Sequence, residues 1–255
     1  MSADPATQVP SRVAVVAADP ACEAAAGELA RRLGLPLLAV DAWRAGEGGP
    51  VVLWWDAVGL ALRGTAASRA RPVRPLPPAA ARAGRDPLLR AVGRWTDVLD
   101  ATAGLGGDAG TLAAAGREVT LVERQPALAA MLAEALRRWR ADGVAAAARM
   151  RLVAVDARDL LAAAAADVVF LDPMYPGPTG GGRARKAEGP HLLRLLAGDD
   201  GDQDELLGLA RAAARHRVVV KRPLHAPPLA GRPPNGALPG RTVRYDLYAP
   251  EEVYP

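Results

Sequence analysis

From Trp95 onward, short apolar segments recur at intervals that a helix fills, and this alternation restricts the fold more than any other feature of the chain. Val98–Leu99, Val119–Val122, Leu152–Val155, Val168–Leu171 and Val218–Val220 are β-branched or aliphatic and too short to be helices. Residues 108–115 with Gly116 after them, 126–139 opening on Pro126, and 203–215 carry helical patterns between those strands. Strand and helix in turn predict a doubly wound, mostly parallel sheet whose strands are covered on both faces. Thr242–Tyr248 alternates, with Val243, Tyr245 and Leu247 on one side, and predicts a last, antiparallel strand.

The N-terminal part reads differently. Val13–Ala17 is a strand, Ala21–Leu33 a helix stopped by Gly34, and Leu37–Val40 apolar again; Val51–Trp55 and Val58–Leu62 can pair across Asp56. Residues 1–70 are therefore expected to form a small α/β cap. From Arg71 to Arg85 the chain holds Pro72, Pro75, Pro77 and Pro78 among arginines, which resists both helix and central strand. Asp86–Pro87 is a helix start, acid as N-cap and proline at N1, and Gly93 is its stop. The expected organisation is a cap at 1–70, a basic Pro-rich linker with a short helix at 71–94, and a catalytic domain at 95–255.

Charge suggests the partner. The net charge is only +4, but eight arginines between Arg63 and Arg94 face the single acid Asp86, and Arg211–Arg232 holds six basic residues and no acid. Such grouping fits a polyanion, or else a solvated basic face. The single cysteine, Cys22, cannot form an intrachain disulfide, and no apolar run reaches the length of a membrane span, so a cytoplasmic location is expected. His191, His216 and His225 lack ligand spacing with acids or Cys22, and no metal is expected. The five tryptophans are scattered and read as core.

Four motifs carry chemistry. Asp100-Ala-Thr-Ala-Gly104-Leu-Gly106-Gly107-Asp108 follows a strand and opens a helix; its glycines allow a sharp turn and close approach of a ligand to unpaired helix N–H groups. Gly104, Gly106 and Ala109 equally satisfy the fingerprint of nicotinamide enzymes, so the loop defines a nucleoside cofactor without choosing it. Glu123, at the end of the next strand, can accept both hydroxyls of a ribose. Asp156 follows the third strand, where an adenine amino group needs an acceptor, with the Ala157 N–H beside it; plain helix capping also explains this acid.

The choice falls to Val168-Val-Phe-Leu-Asp172-Pro173-Met-Tyr175-Pro176. A strand ending in Asp-Pro-x-Tyr is similar to the signature of enzymes that methylate amino groups conjugated to a ring. The lone pair of such an amine is delocalised. Acceptors on Asp172 and on the Pro173 carbonyl can hold it and favour pyramidalisation, and Tyr175 offers a face for stacking. Lys221 and Arg222, at the end of the strand Val218–Val220, are either phosphate contacts, with Arg85, Arg183, Arg185 and Lys186 as companions, or a surface charge pair.

Taken in order, Val98–Asp108, Leu121–Arg124, Leu171–Pro176 and Val218–Pro223 resemble the family of ribosomal small-subunit methyltransferase J, over about residues 86–249. The resemblance implies a class I, Rossmann-like S-adenosylmethionine-dependent methyltransferase with a mostly parallel seven-stranded sheet. It further implies methylation of guanine N2 in 16S rRNA, on free rRNA or a small ribosomal subunit, and a pocket for S-adenosylmethionine lined by Gly107, Asp108, Glu123, Arg124, Asp156, Ala157 and Asp172. In that family an arginine often stands where this chain has Gly107, a serine pair where it has Asp156-Ala157, and a His-Arg-Arg segment where it has the Pro-rich 69–85 stretch. Adenine N6 in DNA or RNA, or a protein glutamine, is the alternative amino target; a nicotinamide-dependent oxidoreductase is the remaining alternative, opposed by the Asp-Pro-Met-Tyr string.

Overall fold

The computed structural model describes residues 13–78, 86–174, 188–197 and 203–251. Two compact units emerge, and neither is one continuous stretch of chain. Residues up to 76, 125–137 and 176–199 belong to the first, and 77–124, 138–175 and 200 onward to the second.

In the first unit, β1 (Val13–Ala17), α1 (Glu23–Leu33), β2 (Leu37–Leu38), α2 (Val40–Arg44), β3 (Val51–Asp56) and β4 (Gly59–Arg63) follow one another. The sheet order is β2-β1-β3-β4, with β1 parallel to both neighbours and β4 antiparallel to β3. The expected pairing across Asp56 is present: its carboxylate accepts from the N–H groups of Val58 and Gly59, closing the turn, and also pairs with Arg74 at 2.9 Å. One boundary differs. Val40 opens α2 instead of ending a strand, because the segment turns at Ala39 to bury Trp43 against Ala14, Val16, Val52 and Trp54. Within the Pro-rich stretch Val73 makes an isolated antiparallel bridge to Leu62.

The second unit opens with α3 (Pro87–Val92), where the Asp86 carboxylate accepts from Leu88 N–H at 2.8 Å, as the Asp-Pro start predicts. Then come β5 (Asp97–Asp100), α4 (Gly107–Ala114), β6 (Glu118–Val122), α5 (Pro126–Ala141), whose residues up to Arg137 belong to the first unit, β7 (Met150–Val153), α6 (Ala157–Leu161) and β8 (Ala166–Leu171). After α7 (Glu188–Ala197), which belongs to the first unit, come α8 (Gln203–Ala213), β9 (Ala214–Pro223), β10 (Gly236–Pro239) and β11 (Val243–Tyr248). The seven strands run in the order β10-β11-β9-β8-β5-β6-β7. Strands β7, β6, β5, β8 and β9 are mutually parallel, and β11 is antiparallel to both of its neighbours.

Val98, Val168, Val169, Val218, Val219 and Val220 are fully buried, which is why these strands are unbroken apolar runs and not alternating ones. Burying each such side chain contributes about 1.5–3 kcal/mol, an upper figure because the unfolded chain already hides some surface. Differences from the sequence pattern lie at element ends. β7 lies two residues earlier than expected, since Asp156 is taken as the cap of α6 and Val155 is left exposed. α8 stops at Ala213 because Arg215 joins the strand and reaches Asp97, Asp167 and the Ala165 carbonyl. Trp43, Trp54 and Trp139 are buried; Trp95 is half-buried and stacks on His216 with ring centroids 3.5 Å apart. Among the described residues no helix is long and apolar enough to cross a membrane.

The strand order sets the site. From β5 the chain moves outward to β6 and β7, then returns to the other side of β5 with β8. The crossovers therefore part in opposite directions between β5 and β8, and the crevice outside their carboxyl ends is where such sheets bind ligands.

Candidate functional site

Asp100 is the last residue of β5 and is 1% exposed; its carboxylate accepts from Thr102 N–H at 3.1 Å. The loop after it is fixed to both neighbouring strands, as Ala101 N–H donates to the Phe170 carbonyl and Ala103 N–H to the Val122 carbonyl, each at 3.0 Å. Gly104 and Gly106 take φ of 53° and 75°, in the left-handed region that a Cβ makes costly. They turn the chain so that α4 starts at Gly107, with Asp108 in its first turn. Glu123 follows β6 and is buried, and one carboxylate oxygen accepts from Gly104 N–H at 2.8 Å. The acid expected to hold a ribose is thus also what orients the glycine loop.

Asp156 caps α6. One of its oxygens accepts from Arg158 N–H at 2.9 Å and Nε at 3.0 Å, the other from Arg158 Nη2 at 2.8 Å, and Arg124 stands 3.6 Å away. The Arg158 hydrogen bonds, against the burial of the group, hold its carboxyl below the usual range. Most of the roughly four acceptor positions of a carboxylate are therefore in use. An adenine amino group approaching here would displace one of these donors or turn to Ala157, the buried first residue of α6.

Asp172 follows β8. Its N–H donates to Thr102 Oγ at 2.6 Å, and its carboxylate lies 3.0 Å from Lys221 Nζ, which also contacts Asp108 at 2.7 Å. Pro173 is buried. Burial and Asp108 push the Asp172 carboxyl up, against the pull of Lys221 and Arg222, while the side chain keeps 39% of its surface open on one side. Asp100 is pushed well above its ordinary value, first by burial and then by Asp108. Burial works against the Lys221 charge, yet Asp172 and Asp108 outweigh it and raise the ammonium. Tyr245, cross-strand partner of Lys221, is pushed up to about 12 by burial and by Asp108.

The sheet therefore brings Asp100, Gly104, Gly106, Gly107, Asp108, Glu123, Asp172 and Lys221 to one edge, while Arg124, Asp156 and Ala157 sit at the ends of β6 and β7. Tyr175, Arg85, Arg183, Arg185 and Lys186 lie outside the described residues. Two expectations require correction. Arg222 is 3% exposed and donates through Nε and Nη2 to the Pro227 carbonyl at 3.2 and 2.9 Å, so it holds the turn after β9 instead of meeting RNA. Lys221 faces two carboxylates, a poor place for a phosphate. Sequence reasoning missed Thr102, whose partner is 70 positions away and which no local spacing betrays.

These residues suit a nucleoside cofactor carrying a positive charge. A Cβ built on Gly107 would meet nothing within 4 Å, so the N-terminus of α4 faces open space. The Glu123 carboxylate matches ribose hydroxyls, and the part-exposed acids Asp108 and Asp172 favour a cation nearby. Among the described residues no group of His, Cys, Asp and Glu is arranged to hold a metal ion.

A seven-stranded sheet of this order, with a glycine loop after its central strand and an Asp-Pro after the next, defines the class I methyltransferases that use S-adenosylmethionine. The SAM-dependent methyltransferase family model matches residues 79–250. Ribosomal RNA small subunit methyltransferase J of Thioalkalivibrio sulfidiphilus is 43% identical over 239 residues, covering 86% of this chain and 91% of that protein. The proteins of the same name from Alkalilimnicola ehrlichii and Pseudomonas aeruginosa are each 43% identical, covering 91% and 93% of this chain and 94% of either relative. The crystal structure of a SAM-dependent methyltransferase from Neisseria gonorrhoeae superposes with a TM-score of 0.64 at 28% identity, over 92% of this chain and 96% of that one. The chain belongs to the ribosomal RNA small subunit methyltransferase J family, and its cofactor is S-adenosylmethionine.

Proposed function

We propose that this chain methylates the exocyclic N2 amine of a guanine in small-subunit (16S) ribosomal RNA. The observation that carries the reading is Asp172, its carboxylate held by Lys221 and its backbone N–H by Thr102, standing beside the glycine loop at the switch point of the sheet. The names of the relatives supply the RNA, and the Asp-Pro string supplies the amine. When bound, S-adenosylmethionine provides a methyl group on a positively charged sulfur. Asp172 accepts a hydrogen bond from an amine N–H and sets the lone pair towards that methyl. The Pro173 carbonyl is the second acceptor, and Tyr175 stacks on the base. Alignment of this kind accounts for as much as about 7–11 kcal/mol of a barrier, so Asp172 is above all a positioning group. The proton shed by the product passes to Asp172 or to water.

In this reading residues 95–255 carry catalysis, residues 1–70 form the appended cap, and the basic 71–94 stretch faces RNA with Arg85. Arg183, Arg185 and Lys186 make further phosphate contacts, and the substrate places the enzyme in the cytoplasm. A target guanine in a duplex would have to leave its stack at a cost of a few kcal/mol, so a partly single-stranded site is expected.

The test is mass spectrometry of small-subunit rRNA from cells with and without the gene, followed by remethylation in vitro by the parent protein and by Asp172→Ala. One N2-methylguanosine is expected to vanish and return, and Asp172→Ala to lower the rate by about 100-fold or more. Full activity of that variant, or a methyl group found on adenine or on protein, would overturn the reading.

A further inference from the structure

We propose that Lys221 is a positioning residue for methyl transfer: it keeps the Asp172 carboxylate ionised and aimed, and it does so with an ammonium shared with Asp108 of the cofactor loop. This deepens the function proposed above and rests on it. Lys221 Nζ stands 2.7 Å from Asp108 and 3.0 Å from Asp172, and its side chain is only 23% exposed. Two acids meet at this ammonium, Asp108 from α4 and Asp172 after β8; both also act on the buried Asp100 of β5, and Tyr245 on β11 lies alongside. Arg222, the other cation acting on Asp172, spends two donors on the Pro227 carbonyl.

Carboxylates crowded in this way cannot all stay ionised without a cation between them, and one takes up a proton. A protonated Asp172 would offer a donor to an amine that itself has to donate. Lys221 prevents this. Because the same ammonium touches Asp108, the first turn of α4 and the target-amine seat share one electrostatic tie, while Thr102 Oγ1 accepts from the Asp172 backbone N–H and fixes the chain there. A phosphate contact, the alternative use of this lysine, would set an anion beside two carboxylates.

The experiment uses the full chain and its rRNA in single-turnover methyl transfer across pH 6–9, with binding of S-adenosylhomocysteine measured by calorimetry. Lys221→Met is expected to bind S-adenosylhomocysteine and to have the acid limb of its rate profile moved to higher pH, with about a tenfold loss of rate along that limb for each unit of displacement in Asp172. That loss should shrink as pH rises, and Lys221→Arg should restore most of the rate and the parent profile. Asp108→Asn should move the acid limb the other way, to lower pH, since it leaves the ammonium wholly to Asp172. Parallel pH profiles for Lys221→Met and the parent would overturn the proposal. So would weaker rRNA binding with a shallower salt dependence in Lys221→Met, the mark of a lost phosphate contact. If Lys221→Met does not fold, an unmoved limb in Asp108→Asn overturns it alone. An active Asp172→Ala sinks the proposed function itself; an inactive one with an unaltered Lys221→Met profile sinks only the role of Lys221.

Discussion

At the ends of two adjacent strands, Asp100 and Asp172 both have carboxyls pushed up, and the difference between their surroundings separates their tasks. Asp100 is enclosed, with one backbone N–H as its partner, whereas Asp172 keeps an open side and a lysine. A carboxyl whose folded pKa exceeds its unfolded value holds its proton more tightly when folded. Its favourable contribution is present below the unfolded value, about 3.9, and is lost as pH rises through the folded one. Asp100 therefore works against folding at neutral pH. Asp100→Asn keeps an acceptor for Thr102 and removes the charge. It is expected to melt at least about 2 °C above the parent at pH 8, the gap closing towards pH 4, and to bind S-adenosylmethionine less well. Thermal melts across that range check it, and a gap that does not grow with pH would contradict it. The sequence displayed Asp100, Glu123 and Asp172 through their place after strands. It could not show that Glu123 also grips Gly104, or that Asp156 is saturated by Arg158, because those partners are set by side-chain reach after folding.

Elements were legible where two local signals agreed. Asp86-Pro87 gave α3 its start, Gly116 followed α4, and the alternation of Val243, Tyr245 and Leu247 gave β11. β10 had no such signal. Gly236-Ala-Leu-Pro239 is a poor strand by propensity and exists because β11 offers it an edge, with Pro239 at its end where a missing N–H does least harm. β9 shows the same force from the other side: Lys221 and Arg222 belong to one strand, and the pleat sends one towards the site and the other into a buried contact with the turn that follows. Arg222→Ala is accordingly expected to destabilise the fold by about 1.5–3 kcal/mol through loss of charged hydrogen bonds, leaving the affinity for rRNA unchanged. Denaturant unfolding alongside filter binding distinguishes this from a phosphate contact, for which the affinity would fall and the stability would not.

For the molecule as a whole, the chain is more interleaved than its linear pattern implies. Residues 125–137 and 188–197 belong with the N-terminal sheet: Glu134 accepts from Leu60 N–H, Gln125 donates to the Leu196 carbonyl, and α7 packs on β3 and β4. A protein beginning at residue 77 would leave those two segments without their apolar partners. It is expected to be aggregated or largely unfolded by circular dichroism and gel filtration, and a soluble, cofactor-binding truncation would show that the catalytic sheet needs no cap. By itself the sequence determined the class of fold, the glycine loop, the acid after each strand and the Asp-Pro turn, because strand length, helix caps and glycine conformations are local and depend on neighbouring residues. Only the tertiary structure decided which acids share a cation, that Thr102 supports Asp172, that Arg222 is interior and that distant segments complete the first unit. Those outcomes depend on strand order and on burial, which bring Lys221 to Asp108, 113 positions away, and Thr102 to Asp172, 70 positions away, and raise the cost of every unpaired charge among them.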